Sequence, residues 1–152
     1  MAPTLTDLQR HAREIAAAFN VRLVEDARIR HEEALGIPHL RVVLMGAIVD
    51  ETTYAVALHE IGHLCSPTGV VRHVISGNRA DALLVEEDAA WTWARHYALE
   101  WTPAMEQLAC WAVSTYEQAR DAARETAAPR RAPEPEPEPQ APSTPINWND
   151  WR

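Results

Sequence analysis

The chain has 152 residues, of which 47% are hydrophobic and 24% are charged, and its formal net charge at pH 7 is −8. This length and apolar content suit one folded domain with its own core, and they exclude a chain that is disordered over most of its length. The acidic balance argues against a protein held to nucleic acid by bulk electrostatics, because phosphate binding needs clustered positive charge. We therefore expect no direct nucleic-acid partner.

Cysteine usage and hydropathy are those of a cytoplasmic protein. Cys65 and Cys110 are too few and too far apart to form a disulfide framework. The N-terminal segment contains charges and lacks the apolar core of a signal peptide. No stretch approaches the roughly 20 apolar residues of a membrane-spanning helix. We expect a cytoplasmic location and no membrane partner.

The first part of the chain predicts one helix and a small sheet. Two short aliphatic runs, 21–24 and 40–45, predict strands, and 47–49 is a candidate third strand. A charged segment, followed by Gly36 and Pro38, separates the two runs. The helix comes before them, because apolar residues recur at helical spacing at Leu5, Leu8, Ala12, Ile15 and Phe19.

The rest of the folded part predicts three helices. Asp50 is a good N-cap for a helix over 51–65, which Pro67 and Gly69 end. The sequence of segment 70–75 does not distinguish a strand from a loop.

The last two predicted helices complete the domain. Asn78 caps a helix that runs to about residue 100, and Thr102 followed by Pro103 begins a helix that runs to about residue 126. The predicted fold is a helix-rich α+β domain over residues 1–128 with a small early sheet.

The composition changes abruptly after residue 128. From Pro129 onward proline alternates with glutamate, a composition that forms neither a helix nor a sheet ladder. The prediction is a disordered, polyproline-like tail over 129–152. Trp148 and Trp151 near its end are a candidate docking motif for this protein or a partner. The alternative is a terminus without a role.

The sequence feature that indicates chemistry is the HExxH motif His59-Glu60-Ile61-Gly62-His63. Residues four apart on a helix share a face, so both imidazoles can reach one metal ion. Glu60 lies beside them, where a base could activate water. Zinc suits imidazole ligands, and a catalytic zinc site has three protein ligands plus water. We therefore predict one Zn²⁺ ion, with Glu60 as the catalytic base.

The surroundings of the motif favour an active-site helix over a solvated helix that carries two histidines. The small Gly62 costs helix stability, and it would allow a neighbouring backbone or a ligand to approach closely. The flanking residues are apolar, as a half-buried helix requires: Val56, Leu58, Ile61 and Leu64.

A third ligand is expected among the acids of the next predicted helix, residues 86–88. At this point the chain resembles the ImmA/IrrE-type metallopeptidases of bacteria and phages, which are short gluzincin-like zinc enzymes. In that family a glutamate follows the HExxH motif about 24 residues later, within a signature similar to E-x-x-A-N-x-F-A. Residues 90–94, Ala-Trp-Thr-Trp-Ala, match the end of that signature and place the ligand at Glu87, with Glu86 as the fallback.

The resemblance covers roughly residues 40–100 and implies a zincin-like fold with zinc held by His59, His63 and Glu87. The chain departs from the family pattern at Trp91, where the family usually has asparagine. It also lacks the histidine that often follows His63 closely in relatives. These departures concern the surroundings of the zinc and the substrate more than the zinc site itself.

Several further residues are candidates for supporting roles. Asp88 either faces solvent or orients a ligand histidine. A backbone strand within 42–49 is a candidate edge for binding an extended peptide. Four residues are candidates for the donor that stabilises the oxyanion in the transition state: Tyr54, His73, His96 and Tyr97.

The predicted function is that of a zinc-dependent metallo-endopeptidase that cleaves an intracellular protein partner. The resemblance implies that this partner could be a transcriptional repressor. The alternative is a non-catalytic zinc-binding module of the same fold that binds a protein. A structural zinc site generally uses four protein ligands and more cysteine than this chain has, which favours the enzyme.

Overall fold

A computed structural model describes residues 2–30, 33–65 and 79–127 of the chain, without the side chains of 79, 80 and 127. The described part is a mixed α+β fold, rich in helix, with a three-stranded sheet, as predicted. In chain order its helices and strands are α1 (Leu5–Ala18), β1 (Arg22–Glu25), β2 (Ala34–Ile37), β3 (Val42–Met45), α2 (Glu51–Cys65), α3 (Arg79–Tyr97) and α4 (Pro103–Ala127).

Side-chain caps begin the helices where the sequence predicted them. The Asp50 carboxylate accepts the backbone N–H of Thr53 at 2.8 Å at the start of α2. The Thr102 hydroxyl accepts the N–H of Met105 at 3.3 Å at the start of α4, and Pro103 occupies the first turn. These two predicted starts are confirmed. α3 ends at Tyr97, about one turn before the predicted end.

The sheet differs from the predicted one in two places. β3 is the central strand, parallel to β1 and antiparallel to β2. β2 contains Gly36 and was not predicted, because its Ala-Leu-Gly-Ile sequence has little strand preference of its own and pairing with β3 makes it a strand. The third strand predicted at 47–49 was wrong. There, side chains satisfy the backbone instead: Thr53 accepts the N–H of Val49, and Gln9 donates to the carbonyl of Ile48.

The run predicted as a strand over 40–45 begins two residues later than expected. A short 3₁₀ turn, Pro38–Leu40, precedes it, and Arg41 follows in the left-handed region at φ 50°. The Arg41 guanidinium donates to the carbonyls of Phe19, Asn20 and Leu64 at 2.6, 3.0 and 3.2 Å. These bonds tie the β2–β3 connection to the end of α1 and to the last turn of α2.

α2, the helix with the HExxH motif, lies at the centre of the fold. It packs against α1, α3, α4, β2 and β3. Its core face is completely buried at Tyr54, Ala55, Ala57, Leu58 and Ile61. Burial on this scale explains why the helix is apolar on most sides, with polar groups confined to its two termini and to the motif.

The two helices that carry the predicted ligands pack unusually closely at Gly62. An ideal Cβ placed on Gly62 would lie 2.9 Å from the carbonyl oxygen of Ala90 on α3. The predicted close approach is therefore made by a neighbouring backbone. It sets the distance between α2 and the segment of α3 that carries residues 86–88.

Some predictions fall outside the described residues. They concern the helix-ending Pro67 and Gly69, the open segment 70–75 with His73, the cap Asn78, and the tail 129–152. No described helix has the length and apolar character that crossing a membrane would require.

Candidate metal centre

The two histidines of the motif lie one above the other on α2, as their spacing predicts. Their Nε2 atoms are 3.0 Å apart, and their ring centroids are separated by 4.4 Å. His59 is buried, with 7% of its surface exposed, whereas His63 is partly exposed. The pair therefore spans from the core to the surface of the protein.

α3 brings the carboxylate of Glu87 against both imidazoles. Glu87 Oε2 lies 3.2 Å from His59 Nε2, and Oε1 lies 3.3 Å from His63 Nε2. Only 8% of Glu87 is exposed, which is unusual for an acid without a structural or functional role. The group of three that comes together is therefore His59, His63 and Glu87, while Glu86 borders the adjacent cleft.

The separations within this group fit one zinc ion. With metal–ligand distances of about 2.0–2.1 Å, the ligand atoms of a tetrahedral site lie roughly 3.3 Å apart. The two Nε2 atoms are 3.0 Å apart, and the two Glu87 oxygens lie 3.2 Å from His59 and 3.3 Å from His63. Two imidazoles and one carboxylate are also the donor set of known catalytic zinc sites. The described residues therefore bring together three donors that are close enough to hold one metal ion.

Without a metal, hydrogen bonds and charge hold the three side chains together. Burial raises the pKa of Glu87, but the hydrogen bonds from His59 and His63 and their positive charge outweigh burial and lower it to about 2. Burial lowers the pKa of His63, but the hydrogen bond and charge of Glu87 outweigh that effect and raise it. The negative charge of Glu87 and a positive charge on His63 therefore stabilise each other.

Glu60 lies at the edge of a cleft that His63 and Glu87 also border. The cleft has a volume of about 530 Å³, and its lining includes Glu60, His63, Glu87 and three residues of β2. An ideal Cβ on Gly36 of β2 would lie 3.1 Å from Glu60 Oε2, so the missing side chain leaves room for this carboxylate. A water molecule or a peptide in the cleft would meet Glu60 and the metal-binding group together.

The strand that borders this cleft is not the one predicted to bind a peptide. β3 cannot offer an edge, because it is hydrogen-bonded to β1 on one side and to β2 on the other. The prediction of an edge within 42–49 was therefore wrong. Among the described strands β2 lies at the outside of the sheet, and Ala34, Leu35 and Gly36 line the cleft.

The structure places the other candidates among the described residues away from the three donors. The Tyr54 hydroxyl, which is fully buried, is 2.7 Å from His11 Nδ1 and accepts the N–H of Leu99 at 3.1 Å. Tyr97 packs against Phe19 and Trp93, and His96 is exposed beside it. Asp88 is exposed and borders a separate cavity between α3 and α4.

Sequence analysis missed Tyr116 of α4, the third of the three tyrosines in the chain. Its side chain is half-buried and lies near Glu87. Burial, followed by the interaction with Glu87 and the charge of Glu60, raises the pKa of Tyr116 to about 12. The only local signal was its spacing, since Tyr116 follows the buried Ala109 by two helical turns.

Trp91, the position where the chain departs from the family pattern, packs directly on a predicted ligand. Its ring stacks on His59 with a centroid distance of 4.1 Å and an interplanar angle of 23°. Within the described residues, His59 Nδ1 has no hydrogen-bond partner. The Trp91 ring therefore packs on the face of this imidazole, while its Nε2 atom lies against Glu87.

Comparisons of the chain with protein-family models, with curated proteins and with solved structures found no match. The geometry of the site is therefore the basis for a functional interpretation.

Proposed function

We propose that this protein is a zinc-dependent metallo-endopeptidase of the ImmA/IrrE type that cleaves an intracellular protein partner. One observation carries the proposal. The donor atoms of His59, His63 and Glu87 all lie within 4.8 Å of one another, and Glu60 borders the same cleft. Two imidazoles, a carboxylate ligand and a free carboxylate are the set that metal-assisted peptide hydrolysis needs.

The bound metal would supply Lewis-acid chemistry, polarising the peptide carbonyl and making water more acidic. His59, His63 and Glu87 would hold it, and the burial of His59 and Glu87 keeps these two ligands out of bulk water. The close packing of α2 on α3 at Gly62 keeps the three side chains at fixed separations.

Glu60 would act as the general base and then as the general acid. Its carboxylate takes the proton that the attacking water loses, and it returns that proton to the nitrogen of the leaving amine. The position next to His59 in the sequence places it on the cleft side of α2, with Oε2 directed toward Gly36.

The substrate would bind in an extended conformation along β2. β2 is an outer strand in the part of the sheet that the structure describes, and three of its residues line the cleft beside Glu60. An extended peptide that adds to such an edge gains main-chain hydrogen bonds and lies across the metal-binding group. This geometry favours a flexible or locally unfolded segment of a protein as the substrate.

The alternative function is a non-catalytic module that binds zinc and a protein partner. Closed structural zinc sites generally use four protein ligands, whereas three donors come together in the described residues. A binding module would also not need a carboxylate at Glu60. The enzyme is therefore the better account of the cleft.

Peptide cleavage by the zinc-loaded protein tests the proposal. The probe is a mixture of synthetic unstructured peptides, with new termini detected by mass spectrometry. We expect wild type to cleave some of these peptides and Glu60→Gln to bind zinc without cleaving. Asp88→Ala, which removes an exposed acid from α3, is the control and should cleave normally. Equal cleavage by Glu60→Gln would refute the role of Glu60, and zinc-loaded wild type that cleaves nothing would favour the binding module.

A further inference from the structure

We infer that Tyr116 is a positioning residue of the metal site, in which its hydroxyl donates to the Glu87 carboxylate and holds the third ligand against the two histidines. The inference rests on the proposed function, since it assigns Glu87 as a ligand. It adds α4, which carries none of the three ligands, to the parts of the fold that build the site.

The register between α3 and α4 places Tyr116 opposite Glu87. At one end of the antiparallel pair, Arg124 donates to Asp81 at 2.8 Å, and at the other end Arg95 donates to Glu106 at 2.9 Å. Following both helices inward from these contacts brings Glu87 level with Tyr116. The contacts that define this register involve neither the metal site nor Tyr116 itself.

A cavity between the two helices gives the same register. Leu84, Val85 and Asp88 of α3 line it together with Val113 and Glu117 of α4. These are the residues that flank Glu87 on one helix and Tyr116 on the other.

The buried side of α4 leads to the same position. Met105 and Ala109 are 1% and 0% exposed, and Tyr116 lies two helical turns beyond Ala109 on the same face. Tyr116 is itself half-buried, and its hydroxyl reaches Glu87 with Glu60 close enough for its charge to act on it. The hydroxyl therefore lies beside both the third ligand and the predicted base.

A donor at this point would help to fix the orientation of the ligand. A carboxylate ligand is held in place when a neighbouring group hydrogen-bonds to it, and loss of such a partner typically weakens metal binding 10- to 100-fold. A tyrosine hydroxyl is protonated at neutral pH, so it can donate to a carboxylate throughout the physiological range.

The three tyrosines of the chain provide a matched set of variants. Tyr116→Phe removes only the hydroxyl, as do Tyr54→Phe in the core and Tyr97→Phe on the aromatic cluster with Phe19 and Trp93. Zinc affinity is measured by competition with a chromophoric chelator, and circular dichroism of the metal-free proteins reports folding. We expect about a 10- to 100-fold loss of zinc affinity in Tyr116→Phe and no more than about a two-fold change in the other two.

A double-mutant cycle separates positioning from packing. In a Glu87→Gln background the carboxylate is gone, so Tyr116→Phe should cause little further loss of zinc affinity. An equal loss in both backgrounds would overturn the inference, and so would wild-type affinity in Tyr116→Phe. Both results leave the proposed function intact. Wild type that binds no zinc would instead overturn the proposed function.

Discussion

At the scale of single residues, the candidate site is built by spacing along one helix and by packing between helices. His59 and His63 are four residues apart, so the helix alone brings their Nε2 atoms to 3.0 Å. Tyr116 lies 29 positions after Glu87 in the sequence. Only the pairing of α3 with α4 makes them neighbours, and no local pattern encodes that pairing. Tyr54 is the opposite case. Its position near the motif in the sequence suggested a role at the site, but its hydroxyl forms hydrogen bonds elsewhere in the fold.

Replacing Tyr54 with phenylalanine should lower stability without affecting the metal site. The substitution leaves His11 Nδ1 and the N–H of Leu99 without their partner in a partly buried location. We expect the free energy of unfolding to fall by about 1–3 kcal/mol, because two hydrogen bonds of about 0.5–1.5 kcal/mol each are lost. Urea unfolding followed by circular dichroism measures this change. A variant as stable as wild type would show that these hydrogen bonds contribute nothing net.

At the scale of helices and strands, the predictions succeeded where a side-chain cap or a helical period marks an element. Asp50 and Thr102 predict the starts of α2 and α4, because their side chains accept hydrogen bonds from backbone N–H groups in the first turn of each helix. β2 has no such local signal and exists because β3 offers it a partner. Strand order is likewise a non-local property, which is why the edge that borders the cleft was assigned to the wrong strand.

Among the features of the helices and strands, Gly62 has the clearest consequence for stability and for metal binding. Gly62→Ala would raise helix propensity by roughly 1 kcal/mol, but its Cβ would lie 2.9 Å from the Ala90 carbonyl oxygen. We expect a net loss of about 1–3 kcal/mol in the free energy of unfolding, together with weaker zinc binding, because α3 must move and Glu87 moves with it.

The matched control for this substitution is Gly36→Ala. Its Cβ would meet the flexible end of Glu60 at 3.1 Å, and the contact between α2 and α3 is not involved. Thermal unfolding and chelator competition on both variants test the expectation. Unchanged zinc affinity in Gly62→Ala would show that the spacing of these two helices does not control the site.

At the scale of the whole molecule, α2 forms the centre, and α3 and α4 are held to each other by contacts at both ends. Glu106 of α4 accepts from Arg95 at 2.9 Å and from Trp101 Nε1 at 2.6 Å, which fixes the connection between the helices. Asp81 and Arg124 make the corresponding contact at the far end. The metal-binding group lies between these two anchor points, so both of them support its geometry.

Acid should weaken the contacts that Glu106 makes with Arg95 and Trp101. The hydrogen bonds from Arg95 and from Trp101 lower the pKa of Glu106 to about 2, below its usual 4.5. The anchor therefore stabilises the fold fully above about pH 4.5, and the stabilisation is lost as pH falls toward 2. Because 45% of the Glu106 side chain is exposed, solvent screening limits the effect, and we expect Glu106→Gln to cost about 1 kcal/mol at pH 7.

Urea unfolding of wild type and Glu106→Gln at pH 7 and pH 3 measures this effect. The difference between the two proteins should shrink at pH 3. A difference that is the same at both pH values would contradict the assigned role of the carboxylate.

The central claim is that His59, His63 and Glu87 bind one zinc ion, and the metal content of protein purified under zinc-replete conditions tests it most directly. Mass spectrometry should find about one zinc per chain in wild type and in the Asp88→Ala control, because the exposed Asp88 is not a ligand. Glu87→Ala should retain much less zinc, since it loses one of the three donors. Wild type without zinc, or Glu87→Ala with as much zinc as wild type, would contradict the account.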